Sequence, residues 1–149
     1  MAFSIDKLGK PELKLAGFQL WVHNRQFPEH EDYWDGNWLN VTAYCGAQGA
    51  SVTVTGSIVH LSDIACLLKG AESMYAELKG QASLPCIEPE LYVELKAKGH
   101  GHIDVEVSIT PDNLTQSHHF RFEIDQSYLP GLTADCQKIL AKFPIKGKS

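Results

Sequence analysis

Most of this chain alternates apolar and polar residues with period two, and that rhythm gives way to a helical one in only two places. Phe18, Leu20 and Val22 alternate with Gln19, Trp21 and His23. Leu39, Val41, Ala43 and Cys45 form a second set, and Val52, Val54 and Ile58 a third. Successive side chains of a strand point to opposite faces, so each set reads as a half-buried strand, over Leu13–His23, Trp38–Cys45 and Ser51–Val59. At Leu61 the period changes. Ile64, Leu67, Leu68, Ala71, Tyr75 and Leu78 recur at three and four, the spacing of one apolar helix face. Ser62 is the predicted N-cap, Asp63 suits the positive end of the helix dipole, and Lys79-Gly80 suits the other end. Gly70 inside the helix costs about 1 kcal/mol against alanine, which points to close packing on the sheet there.

Alternation then returns. Ala82–Cys86 predicts a short strand with Pro85 and Pro89 marking an edge or loop. Leu91–Ala97 and Ile103–Ile109 predict a hairpin around Gly99-His100-Gly101, and Phe120, Phe122 and Ile124 form the inner face of a last strand. Leu132, Cys136, Ile139, Leu140 and Phe143 line a second helix, ended by Pro144. Strands, helix, strands, helix, joined by connections too short for parallel crossovers, predict an α+β fold. The expectation is a single domain over 1–149: one curved antiparallel sheet of about six strands, with helices at about 61–79 and 129–143 packed on one face. Residues 1–12 are expected to be a loose lead-in and 145–149 a basic tail. A chain of 149 residues buries enough surface for an ordinary core, roughly 70% of what it exposes unfolded.

Charge is distributed unevenly. No Lys or Arg lies between Arg25 and Lys69, while Glu29, Glu31, Asp32, Asp35 and Asp63 all do, so that interval carries the whole net charge of −5. A pI near 5.7 argues against a nucleic-acid-binding surface, which needs a basic stripe. No segment approaches the roughly 20 apolar residues of a membrane span, and nothing at the N-terminus resembles a signal peptide. Cys45, Cys66, Cys86 and Cys136 are scattered in apolar or helical contexts, so buried free thiols and a cytoplasmic location are expected.

The densest stretch in chemistry-bearing side chains is Glu29-His30-Glu31-Asp32-Tyr33-Trp34-Asp35-Gly36-Asn37-Trp38. Trp34 and Trp38 read as anchors of a loop, Gly36-Asn37 as the bend before the next strand, and Asp32 or Asp35 as a cap of a short turn. Glu29, Glu31, Asp32 and Asp35, with Tyr33, read as a display of negative charge toward a basic partner; such a field speeds association and discriminates against wrong partners. His100 and His102 share a strand face, and His118 and His119 form another pair, but no third or fourth ligand sits at a recognisable spacing for a metal. Nucleophile-elbow, phosphate-loop and dinucleotide motifs are absent. No cofactor, metal or catalytic residue is expected.

The run Asp32-Tyr33-Trp34-Asp35-Gly36-Asn37-Trp38-Leu39 resembles the signature of WapI-type immunity proteins. The likeness extends over about residues 15 to 144, through Glu88-Pro89-Glu90-Leu91, Gly101-His102-Ile103 and the run Phe120–Pro130, in which Asp125, Gln126 and Tyr128 stand as structural motif residues. What the resemblance implies is a non-enzymatic bacterial protein that binds the toxic C-terminal domain of a large secreted protein, with a nuclease as the implied toxin. It supplies no partner-contact residues. The competing expectation is a small, non-catalytic ligand- or protein-binding domain with no toxin partner.

Overall fold

A computed structural model describes residues 5–148; residues 1–4 of the expected lead-in and residue 149 of the expected tail lie outside it. The first half is a meander of β1 (Leu13–Leu15), β2 (Phe18–Arg25), β3 (Trp38–Ala47) and β4 (Ala50–His60). Helix α1 (Leu61–Glu77) follows without a linker. The second half is another meander, β5 (Gln81–Leu84), β6 (Leu91–Gly99), β7 (His102–Ile109) and β8 (His119–Asp125), closed by α2 (Leu129–Lys142).

The α+β single domain stands, but the one-sheet architecture does not. There are two antiparallel sheets of four strands, in the orders β1-β2-β3-β4 and β5-β6-β7-β8. Alternation marks strands without saying which of them share hydrogen bonds. Here α1 ends the first meander and starts the second, so β4 and β5 never pair. The sheets meet through β3 and β4 against β7 and β8. The helices pack on each other, α1 seated mainly on β5 and α2 reaching β1, so they do not lie together on one face of one sheet. A second correction concerns Leu13–His23, which is a hairpin and not one strand. Ala16, at φ +52°, turns the chain so that Leu15 pairs with Phe18.

The inner faces are those the alternation marks. Phe18, Leu20, Leu39, Val41, Ala43 and Cys45 from one sheet, and Leu91, Val93, Leu95, Val105 and Val107 from the other, form one core with Ile64, Leu67, Ala71, Leu132 and Ile139 from the helices. Gly70 is tight against β5, since a Cβ there would stand 2.7 Å from the Ala82 Cβ. Of the four cysteines, Cys45, Cys86 and Cys136 are buried free thiols, but Cys66 is exposed on the outer side of α1. The lead-in is held where it is described. Ile5–Leu8 make a 3-10 turn, and the Trp21 indole N–H donates to the Gly9 carbonyl at 3.0 Å.

Candidate functional site

The segment joining β2 to β3 is built from its ends inward. Gln26 N–H donates to the Trp38 carbonyl at 2.9 Å, which closes residues 26–37 into a loop. Within it, the Asp32 carboxylate accepts from the Asp35 N–H at 2.8 Å and starts a 3-10 turn at Asp35–Asn37. That backbone N–H holds the Asp32 carboxyl below the usual carboxylate range. Gly36 has no room for a side chain, because a Cβ would meet the His30 carbonyl at 2.5 Å.

Asn37 is 0% exposed and uses all its hydrogen-bonding capacity. Its amide NH₂ donates to the Tyr33 carbonyl at 2.6 Å and to the Lys146 carbonyl at 2.9 Å. Its carbonyl accepts from the Lys146 N–H at 2.9 Å and from the Arg25 guanidinium at 3.2 Å. Arg25 also donates to the carbonyls of Gly36 and Pro144 and lies over the Phe143 ring. Burial lowers its pKa, opposed by Glu31, yet a guanidinium stays charged throughout the ordinary pH range. Lys146 then enters beneath the loop. Its ammonium donates to the carbonyls of Pro28 (2.7 Å) and His30 (3.0 Å) and to the Glu31 carboxylate (3.1 Å), which occupies all three donors. Gly147 follows at φ +68°, where a Cβ would stand 2.6 Å from the Tyr33 backbone nitrogen.

His60 fixes the other side of the loop. Its Nδ1 accepts from the Ser62 N–H at 3.2 Å, so Nε2 carries the proton and donates to the Trp34 carbonyl at 3.0 Å. Trp34 stacks on the imidazole, Trp38 meets it edge-on, and Tyr33 tilts against it. His60 is therefore the N-cap of α1, and the expected cap, Ser62, lies two residues inside the helix. Asp63 completes the capping box by accepting from the His60 N–H at 2.9 Å. The imidazole nitrogen serves as the acceptor that a serine hydroxyl ordinarily provides. Asp63 is buried, and desolvation raises its pKa against the opposing pull of that N–H.

The sequence-predicted contact residues divide under this geometry. Glu29, Glu31, Asp32 and Asp35 lie on the outside of the loop, whereas Tyr33 is half-buried against His60. Trp38 is buried, but Trp34, read from the sequence as an anchor, stacks on His60 with 52% of its surface exposed beside the carboxylates. Asp63 is withdrawn into α1, and Glu31 is paired with Lys146 at 3.1 Å and faces Arg25. The surface charge is thus smaller than the sequence interval suggests. His30 Nδ1 lies 3.6 Å from Asp32 and 3.8 Å from Asp35. These three are the group among the described residues with ligand atoms close enough to hold a cation, all exposed. His100, His102, His118 and His119 do not converge; His102 faces Glu123, His119 faces Ser108 and Glu106, and His118 meets Gln116.

The second motif is remote. Asp125 accepts from the Ser127 N–H at 2.8 Å, Gln126 N–H donates to the Gly101 carbonyl at 2.9 Å, and Gln126 and Leu129 lie against Met74 and Leu78. That is the far end of α1, about 25 Å from His60 at 1.5 Å per residue. Tyr128 is half-exposed there, on an open groove with Lys14 and Asp135. Of Arg25, His60, Lys146 and Gly147, three leave no trace in the sequence pattern. Only His60, three residues before Asp63 at a helix start, carried a local signal.

A family model described as the immunity protein WapI-like family matches residues 12–144. No curated protein and no solved structure matches the chain.

Proposed function

Because the chain belongs to the WapI-like immunity protein family, we propose that it binds and neutralises a cognate toxin domain, stoichiometrically and without catalysis, through the outer face of loop 26–37. The observation that carries this reading is a rigid display. Arg25, Asn37, His60 and Lys146 lock the loop from behind, and the loop leaves four carboxylates and a half-exposed Trp34 open to solvent. A pre-ordered loop loses little freedom on binding, and a half-exposed tryptophan is a typical energetic anchor of an interface.

The partner chemistry that fits is basic. A nuclease presents a cationic groove for phosphates, which a compact set of carboxylates can occupy in their place. The inhibitor would act in the cytoplasm, where such a toxin meets nucleic acid. No helix among the described residues is long and apolar enough to cross a membrane.

The test is binding kinetics between this protein and its cognate toxin domain. Glu29→Gln with Glu31→Gln leaves the Asp32 cap intact; it should slow association and flatten its dependence on salt, while Trp34→Ala should speed dissociation. Unchanged rates and salt slope in both folded variants place the interface elsewhere.

A further inference from the structure

An antiparallel sheet that is not closed leaves backbone N–H and C=O groups unpaired along its outer strands, and proteins ordinarily blunt those edges. Two of the four outer strands here are very short: β1 has three residues and lies by α2, and β5 has four and lies under α1. A third, β8, carries His119, Arg121, Glu123 and Asp125 on its solvent face. The fourth is β4, eleven residues long, and it has none of these devices. It contains no Lys, Arg, Asp, Glu or Pro, and neither does any position from 36 to 62. The one irregularity in its ladder with β3 lies past Gly56, so residues 50–56 form a regular run of small and β-branched side chains. On the side away from β3 their backbone groups have no backbone partner among the described residues.

We propose that β4 is a self-association edge, at which two copies of this chain pair antiparallel through residues 50–56 and join their first sheets into one of eight strands. A second copy suits this edge better than a charged partner does. Antiparallel strand pairing has two-fold symmetry, so one exposed edge is its own complement. With a net charge of −5, two copies repel in most orientations, and this neutral strand is where approach costs least. Apart from Lys14 on the far strand β1, the adjoining sheet face is neutral as well, through Gln19, His23, Tyr44, Thr53, Thr55 and Ser57, and interface centres are depleted in charge. Thr42 and Thr55 hydroxyls lie 3.1 Å apart, marking a close side-chain pair whose backbone groups face away from each other. The outward amides of β4 are therefore those of Ser51, Thr53 and Thr55.

Sedimentation equilibrium of the full chain over a rising concentration series, with amide hydrogen exchange on the same samples, tests this. The expected result is a reversible monomer–dimer equilibrium that changes little with salt, with exchange at Ser51, Thr53 and Thr55 slowing as concentration rises. Thr53→Pro should weaken association at least about tenfold, through the loss of roughly one net hydrogen bond per copy, and Thr53→Lys should weaken it by setting like charges against each other across the two-fold. Neither should alter the circular dichroism, since the Thr53 N–H takes no part in the ladder with β3. A monomer at every concentration overturns the proposal. So does a dimer indifferent to both variants, or protection of these amides that appears only when the toxin domain is added.

Discussion

Replacing Asn37 by alanine removes a side chain that makes four hydrogen bonds and has no exposed surface, leaving the Tyr33 and Lys146 carbonyls without their donor. Buried groups left unpaired cost about 1–3 kcal/mol each, so Asn37→Ala should lower stability by about 2–4 kcal/mol in denaturant titration. Asn37→Asp keeps the shape but sets an oxygen against those two carbonyls, and should be no milder. Acid titration separates three carboxylates by sign. Hydrogen bonds from backbone or hydroxyl groups hold Asp32 and Asp125 below the usual range, so their stabilisation is present above that range and is lost as pH falls through their lowered values. Burial raises Asp63, so its contribution favours the fold at low pH and is lost as pH rises through its raised value. Carboxyl NMR should show Asp63 titrating above both others, so that on acidification the α1 cap loses its ionised acceptor before the 32–37 turn does. The opposite order would contradict the capping geometry. A thiol-reactive probe should find one fast group, Cys66, because burial pushes Cys45 and Cys136 up to about 12.

At the scale of elements, close packing of α1 on a sheet at Gly70 was legible in the sequence, and that the strand beneath it is β5 was not. Gly70 interrupts an otherwise regular helical stripe, and the physical reason is Ala82. Gly70→Ala should therefore destabilise the protein although alanine is the better helix former, and Ala82→Gly should recover part of the loss in a double-mutant cycle. Strand alternation and the change of period at Leu61 similarly marked nearly every element. The number of sheets was not legible, because alternation is a property of one strand and pairing is a property of two. The hairpin at Ala16 was missed for a related reason. Leu13 and Leu15 keep the inward phase of Phe18 and Leu20 only after the chain reverses, and a linear reading does not show the reversal. The lock behind loop 26–37 left even less trace, since Lys146 and Gly147 look like any basic tail. Deleting residues 145–149 should cost about 1–3 kcal/mol, lower the melting temperature by about 2–4 °C per kcal/mol, and raise amide exchange across residues 27–36 while leaving the α1 interior protected.

For the molecule as a whole, charge is sorted by surface. The outer face of the second sheet is a lattice of exposed ion pairs, Lys98 with Asp104 and Glu123 at 3.4 Å and Arg121 with Glu106 at 3.1 Å. Pairs of that kind contribute little stability, so Glu106→Gln should change the unfolding free energy by less than about 0.5 kcal/mol. It should also leave toxin association alone if the loop carries it. The first sheet presents a face whose charge is confined to Lys14 on β1 and the loop an acidic one, so three surfaces of different character share one core.

Asn37 and Lys146 lie 109 residues apart, yet four of the bonds around the loop depend on their meeting. Contacts that close so long a stretch of chain form late, after the hairpins and helices have made the approach short. The loop should accordingly be absent from the folding transition state. Asn37→Ala and Lys146→Ala should then accelerate unfolding while leaving the folding rate nearly unchanged in a stopped-flow chevron. The lifetime of the finished loop, more than the speed of its assembly, is what those two residues set.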